Sequence, residues 1–114
     1  MLGVSVEVDE IKKIAKKNKI LVIDDNCEAL GAKWNDKTLG NQFDMCAWSF
    51  DNGKTITTGE GGMITTNDRS KYVKMASLRN LAFGKKNRFN HDDIGWNYRM
   101  TNIQASLGLN QLKR

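Results

Sequence analysis

Three side chains of different chemistry lie at short spacings in the first half of the sequence. Asp25 follows the apolar run 20–23, Ser49 ends a second apolar stretch, and Lys54 comes five residues later, before the Thr- and Gly-rich segment 57–62. A lysine amine can add to an aldehyde as a Schiff base. A carboxylate can keep a ring nitrogen protonated, and hydroxyl and backbone N–H groups can hold a phosphate. Pyridoxal phosphate (PLP) needs all three from its protein.

The spacing of these residues does not by itself select that chemistry. An aspartate after a strand is common in α/β proteins, and most lysines are solvated. A free lysine, whose pKa is about 10.4, is protonated at neutral pH and cannot attack until burial or conjugation removes its proton. Asp25 would instead stay ionised opposite a cationic ring. Solvated surface residues and a cofactor site therefore both remain possible at this point.

Local patterns place these residues on an α/β framework. Apolar residues at helical spacing predict a first helix, and a Thr101/Gln104 capping box predicts the start of a last one. The β-branched run 20–23 is typical of a strand buried on both faces of a parallel sheet. The elements predicted are helices over 8–18, from 67 or 68 to about 82 and from 101 onward, and strands over 20–23, 45–50 and 63–66.

These elements predict how the candidate residues are brought together. The strands before Asp25 and Lys54 should be neighbours in one mainly parallel sheet with flanking helices, and both should deliver their C-terminal ends to one pocket. Residues 33–42 are polar and turn-rich, and residues 84–95 are expected to form a polar loop. Tyr72, Met75 and Ala76 should lie on the inner face of the second helix.

Length and composition limit the possible classes of protein. The 114 residues suffice for one small domain with a thin core. No apolar run approaches the roughly 20 residues of a membrane helix. Because the N-terminus also lacks the features of a signal peptide, a cytoplasmic protein without a membrane partner is expected.

Metal and nucleic-acid binding are not expected. Cys27, Cys46 and the single histidine, His91, have no metal-ligand spacing, so the two cysteines are interpreted as reduced, partly buried thiols. The net charge of +5 could suggest nucleic acid. Five lysines, however, alternate with apolar positions on and just after the first helix, which is typical of a solvated face: Lys12, Lys13, Lys16, Lys17 and Lys19. Anionic small molecules such as nucleotide-sugars remain plausible partners.

Three long segments resemble those of one enzyme family. Residues 22–32 read Val-Ile-Asp-Asp-Asn-Cys-Glu-Ala-Leu-Gly-Ala, residues 49–63 contain Asn-Gly-Lys-Thr followed by Thr-Thr-Gly-Glu-Gly-Gly-Met, and residues 95–105 read Gly-Trp-Asn-Tyr-Arg-Met-Thr-Asn-Ile-Gln-Ala. In order and spacing they resemble the DegT/DnrJ/StrS-type PLP-dependent sugar aminotransferases, and in particular the perosamine-synthase-like branch. The resemblance spans nearly the whole chain.

The resemblance implies a fold and an extent. The fold is the α/β large domain of an aspartate-aminotransferase-like enzyme (PLP fold type I), which is a homodimer in the family. Family members are much longer, so residues 1–114 are interpreted as a part of that domain truncated at both ends.

The resemblance also implies roles for individual residues. Lys54 would bind PLP covalently and move a proton between substrate and cofactor. Asp25 would hold the pyridine nitrogen, Ser49 the phosphate, and Asn97 a phosphate in the neighbouring subunit's site, while Glu28 would lie near the cofactor ring. Three alternatives stay open: Ser49 as a plain strand residue, Asn97 as a turn former and Glu28 as a surface carboxylate.

The implied activity is amino transfer from glutamate to a nucleotide-linked 4-keto-6-deoxy sugar, for polysaccharide, lipopolysaccharide or O-antigen biosynthesis. Lys54 favours this activity over the related sugar dehydratases, which carry histidine there. A phosphate-binding P-loop is excluded because Trp48 stands where that motif requires glycine. The alternative is a truncated, inactive remnant or a non-enzymatic partner domain, and these residues alone are expected to be inactive.

Overall fold

The computed structural model describes residues 3–114, which form three α-helices and five short β-strands. The helices are α1 (Val8–Asn18), α2 (Arg69–Arg79) and α3 (Asn102–Leu112). The strands are β1 (Ile23–Asp25), β2 (Lys33–Trp34), β3 (Lys37–Thr38), β4 (Met45–Ser49) and β5 (Gly62–Thr65). The three predicted helices and three predicted strands are confirmed, with β1 lying later in the chain than its apolar run. The turn-rich segment 33–42 contains the short β2–β3 hairpin, which was not predicted.

The main sheet has three strands in the order β1-β4-β5. β1 and β4 are parallel, with Ile23 opposite Met45 and Asp25 opposite Ala47. β4 and β5 are antiparallel, so the sheet is mixed and the predicted parallel arrangement applies to its first pair. A parallel return requires a crossover, usually a helix. Residues 50–61 form only turns and bends, so the chain comes back antiparallel.

Side-chain caps determine where two helices begin. The Asp68 carboxylate accepts hydrogen bonds from the N–H groups of Ser70 (2.8 Å) and Lys71 (3.2 Å), so α2 follows Asp68 and not Asn67. Thr101 and Gln104 form the predicted capping box at the start of α3. Each cap satisfies N–H groups that a helix leaves without an internal partner.

The core lies on one face of β4. Side chains alternate between the two faces of a strand, and Cys46 and Trp48 are buried while their neighbours in β4 are only partly so. Ala29 and Leu39 pack against them. The hairpin that carries Leu39 turns through two residues with positive φ, Asn35 and Asp36, as its tight turn requires. The core is thin, as the length of the chain predicts.

Several apolar positions expected inside are exposed. The run 20–23 was predicted to be buried on both faces, but Ile20 is 57% and Leu21 65% exposed. The reason is that, within residues 3–114, no helix packs extensively against β1, so the faces of this segment are uncovered. Tyr72, expected on an inner face, is half exposed. Apolar spacing predicts which side chains would be buried by a packing partner, and it does not show whether that partner is present. No helix in this range has the length and apolarity to cross a membrane.

Candidate functional site

The site is built where β1 and β4 end side by side. Asp25 is in register with Ala47, and the N–H of Asn26 donates to the Ala47 carbonyl at 2.9 Å, which continues the pairing beyond β1. After β4 a turn closed by the Lys54 N–H and the Asp51 carbonyl (3.1 Å) returns the chain to this edge. The predicted meeting of the two strand ends is therefore present.

Lys54 and Glu28 form an ion pair at this edge. The Lys54 side chain is 19% exposed and that of Glu28 49%. The hydrogen bond to Glu28 raises the pKa of Lys54 above its usual value; burial opposes this, and the charges of Glu28, Cys27 and Asp51 add to it. The Lys54 amine is thus protonated at neutral pH while it is paired with Glu28.

Asp25 has the opposite protonation preference. Its carboxylate accepts a hydrogen bond from the backbone N–H of Cys27 at 3.0 Å, and the Cys27 side chain lies beside it. These contacts, followed by the charge of Lys54, lower the pKa of Asp25. The neighbouring thiol responds in the other direction, since burial and the contact with Asp25 raise the pKa of Cys27 to about 11. At neutral pH the site therefore holds an ionised carboxylate beside a neutral thiol.

Ser49 ends β4 on the same face of the sheet as Asp25. It stands two residues after Ala47, the partner of Asp25, so side-chain alternation places it there. Its hydroxyl oxygen accepts a hydrogen bond from the Asp51 N–H at 3.3 Å. The hydroxyl hydrogen remains free to donate to an incoming oxygen, as a phosphate ligand must.

The glycine-rich turn after Lys54 is held by Thr58 and by close backbone approach. Thr58 is 4% exposed. Its hydroxyl donates to the Glu60 carbonyl at 2.7 Å, and its N–H donates to the Phe50 carbonyl at 2.9 Å. At Gly61 a Cβ would lie 2.5 Å from the Thr58 hydroxyl, and φ is +158°. The turn therefore requires glycine at this position for structural reasons.

Two glutamines connect α3 to this turn through contacts that were not predicted: Gln104, expected only in the capping box, and Gln111. The Gln111 amide donates to the Thr57 carbonyl at 2.7 Å and accepts from the Thr57 N–H at 3.1 Å. The Gln104 amide donates to the Glu60 carbonyl at 2.9 Å. The available signal was their spacing of seven residues, which places both on one face of a helix.

Asn97 lies apart from this group. It is in the loop before α3, where its side-chain oxygen accepts from Arg99 Nε at 2.9 Å, and it lines a groove of about 960 Å³. Within residues 3–114 no hydrogen bond joins Asn97 to Asp25, Glu28 or Lys54. Lys54 does not line this groove, and it does not line a second cavity of about 510 Å³. The predicted role of Asn97 in a neighbouring subunit's site stays a prediction.

The groups at the strand ends fit PLP better than a metal. An amine, an ionised carboxylate and a free hydroxyl hydrogen lie at one sheet edge, which is the donor set that an aldehyde, a protonated ring nitrogen and a phosphate require. In the part of the chain that the structure describes, no group of three His, Cys, Asp or Glu side chains could hold a metal ion. Cys27 and Cys46 are free thiols, the second of them buried, as expected.

Comparison with known proteins finds similar sequences and similar solved structures. The GDP-perosamine synthase of Caulobacter vibrioides is 45% identical over 114 residues, which cover all of this chain and 31% of that protein. The structure of Helicobacter pylori PseC, an aminotransferase involved in the biosynthesis of pseudoaminic acid, matches with a TM-score of 0.89 at 39% identity, over 96% of this chain and 30% of that one.

A solved relative with bound PLP has the same fold. The Escherichia coli GDP-4-keto-6-deoxy-D-mannose-3-dehydratase with bound hydrated PLP matches with a TM-score of 0.87 at 31% identity, covering 99% of this chain and 33% of that one. The chain thus spans about a third of the length of these relatives, and its fold is that of PLP fold type I enzymes. The model of the DegT/DnrJ/EryC1/StrS aminotransferase family matches residues 1–114, and the chain belongs to this family.

Proposed function

We propose that these residues form the cofactor-binding part of a PLP-dependent aminotransferase that aminates the keto carbon of a nucleotide-linked 4-keto-6-deoxy sugar. The observation that carries the proposal is the placing of Lys54 and Asp25 at the adjacent ends of two parallel strands. The names of the relatives support the substrate class, since they include GDP-perosamine synthases and UDP-aminosugar transaminases. Glutamate as amino donor and a homodimer belong to the same proposal.

The side chains divide the work of amino transfer. When bound, PLP supplies an electron-accepting ring and carries the amino group from donor to acceptor. Asp25, ionised at neutral pH, would hold the ring nitrogen protonated, and Ser49 would donate to the phosphate. Lys54 would hold the cofactor through its aldehyde and, as a neutral amine, would move the proton at the reacting carbon.

Glu28 determines the protonation state from which Lys54 starts. The ion pair keeps the amine charged, so Lys54 would have to lose its proton and its contact with Glu28 to hold an aldehyde. The Glu28 carboxylate would then be available to the cofactor or the sugar amine. The position of Glu28 beside Lys54 therefore favours a role in the site over a surface carboxylate.

The experiment is a comparison of lysine variants in the complete protein that contains these segments. Lys54→Ala should abolish the visible absorbance of lysine-bound PLP and all amino transfer. Lys16→Ala, on the solvated face of α1, is the matched control and should leave both unchanged. Retention of the band in Lys54→Ala would refute the assignment. A panel of keto-sugars with different nucleotides, assayed with glutamate, then identifies the substrate, and cell fractionation tests the predicted cytoplasmic location.

A specific observation favours inactivity of residues 1–114 alone. The Glu28 side chain that pairs with Lys54 is 49% exposed, so water reaches this contact, whereas a site that holds a cofactor and a sugar must enclose them. We expect weak PLP binding and no turnover by these residues alone. Purifying them and measuring the aldehyde-lysine band and the reaction of glutamate with a keto-sugar tests this, and turnover would show that the site is complete.

A further inference from the structure

A buried asparagine lies between the two acidic residues of the site. Asn26 is 4% exposed and separates Asp25 from the loop that carries Glu28. Neither the predicted roles nor the family segments assign it a function. Buried polar side chains are expensive unless fully hydrogen-bonded, so the contacts of Asn26 indicate what it stabilises.

The Asn26 side chain connects β1 to β4 on the core face of the sheet. Its amide nitrogen donates to Asp24 Oδ2 and to Cys46 Sγ, both at 2.9 Å. Asp24 and Cys46 are directly opposite each other in the parallel pair. The amide therefore bridges the two strands, beneath the face that carries Asp25.

The Asn26 backbone carries the same connection into the site. Its N–H donates to the Ala47 carbonyl at 2.9 Å, and its carbonyl accepts from the Ala29 N–H at 3.0 Å. The first bond holds the residue that follows Asp25 against β4. The second closes the turn that contains Cys27 and Glu28. One buried residue thus fixes the chain at Asp25 and in the turn that carries Glu28, the partner of Lys54.

We propose that Asn26 is a positioning residue, whose buried amide holds the end of β1 against β4 so that Asp25 and Glu28 both face Lys54. The proposal rests on the proposed function for its meaning in catalysis. It does not make Asn26 a ligand, since its side chain faces the core. A hydrophobic residue of similar size could fill the volume, but it would leave Asp24 and Cys46 without their shared donor.

The test compares Asn26→Ala with Leu39→Ala in the complete protein. Leu39 is buried in the same core, and its truncation removes packing there while leaving every hydrogen-bonding group of Asn26 and its partners in place. Three quantities are measured: the melting temperature, the affinity for PLP, and the rate at which the Cys27 thiol reacts with an aromatic disulfide. The last reports the Asp25–Cys27 contact in the absence of cofactor, and peptide mapping separates Cys27 from Cys46.

Both variants should melt at lower temperature, but only Asn26→Ala should change the site. We expect PLP affinity to fall on the order of 10-fold, the effect seen when the hydrogen bonds that orient ligand-holding groups are removed, and Cys27 to react faster. Asn26→Ser keeps one hydrogen-bond donor. Its PLP affinity and its Cys27 reaction rate should lie between those of Asn26→Ala and those of the natural protein.

Two outcomes would overturn the proposal. In the first, Asn26→Ala and Leu39→Ala change PLP affinity and thiol reactivity to the same extent. In the second, Asn26→Ala leaves both at the values of the natural protein. Failure of the proposed function is distinguishable from these, because the natural protein would then show no lysine-dependent PLP band, while the reactivity of Cys27 would still report on Asn26.

Discussion

The thiol of Cys27 offers a direct measure of the electrostatics beside Lys54. Burial, followed by the neighbouring Asp25 carboxylate, raises its pKa from 9.0 to about 11. At pH 7–8 this lowers the thiolate fraction about 100-fold. The higher intrinsic nucleophilicity of a more basic thiolate returns about 10-fold of that loss. Cys27 should thus react with an aromatic disulfide about 10-fold more slowly than a free cysteine, and more slowly still because it is partly buried.

The assay is a pH–rate profile of the Cys27 thiol, which peptide mapping distinguishes from Cys46. In the natural sequence the rate should keep rising well above pH 9. Asp25→Asn removes the charge and changes the hydrogen bond, so the midpoint should move to lower pH while burial, the largest cause, keeps it above 9.0. Asp36→Asn, an exposed carboxylate in the β2–β3 turn, is the matched control and should leave the profile unchanged.

A profile with its midpoint near pH 9, or one that Asp25→Asn does not move, would refute the described contact between Asp25 and Cys27. The raised pKa of Cys27 also has a consequence for stability.

A thiol whose pKa is higher in the folded protein contributes stability that is fully present below its pKa in the unfolded chain. The free energy of unfolding should therefore fall between about pH 9 and 11, and less so in Cys27→Ser, which does not titrate there.

Two further changes test neighbouring features. Glu28→Gln removes the main cause of the raised pKa of Lys54, so borohydride trapping of PLP on Lys54 should begin at lower pH. Glu60→Gln is the control and should leave the pH profile of trapping unchanged. An unshifted profile in Glu28→Gln would contradict the ion pair. Thr101→Ala removes the capping box of α3 and should lower the free energy of unfolding in urea by about 1 kcal/mol; Ser106→Ala, inside that helix, should cost less, and equal losses would argue against the cap.

Local sequence signals predicted the parts of the fold that depend on local interactions. The Thr101 and Gln104 pair needs only its own helix turn to cap α3, so its pattern was sufficient. The neighbouring positions of the strand before Asp25 and the strand before Lys54 were predicted correctly, because parallel neighbours end on the same side of a sheet. In each case the relevant partners are close in the chain or follow from strand direction alone.

The features that sequence reasoning missed depend on contacts between distant segments. The antiparallel return of β5 is decided by the lack of a crossover helix over residues 50–61, which polar turn residues do not reveal by themselves. The exposure of Ile20 and Leu21 depends on what lies against β1. The amide pair between Gln111 and Thr57 joins positions 54 residues apart, and a helical glutamine carries no mark of such a partner.

The support of Lys54 extends from β4 through the glycine-rich turn to α3. Gly108 of α3 approaches this turn so closely that a Cβ would lie 3.1 Å from the Thr58 methyl group, and Gln104 and Gln111 bind the turn at two carbonyls. These amides satisfy backbone groups that a turn leaves without strand partners. Lys54 is therefore held on one side by the β1–β4 pair and on the other by a turn fixed to a capped helix. In the role proposed for it, Lys54 must be held within a fraction of an ångström of its productive position, so the conformation of α3 becomes part of the proposed site.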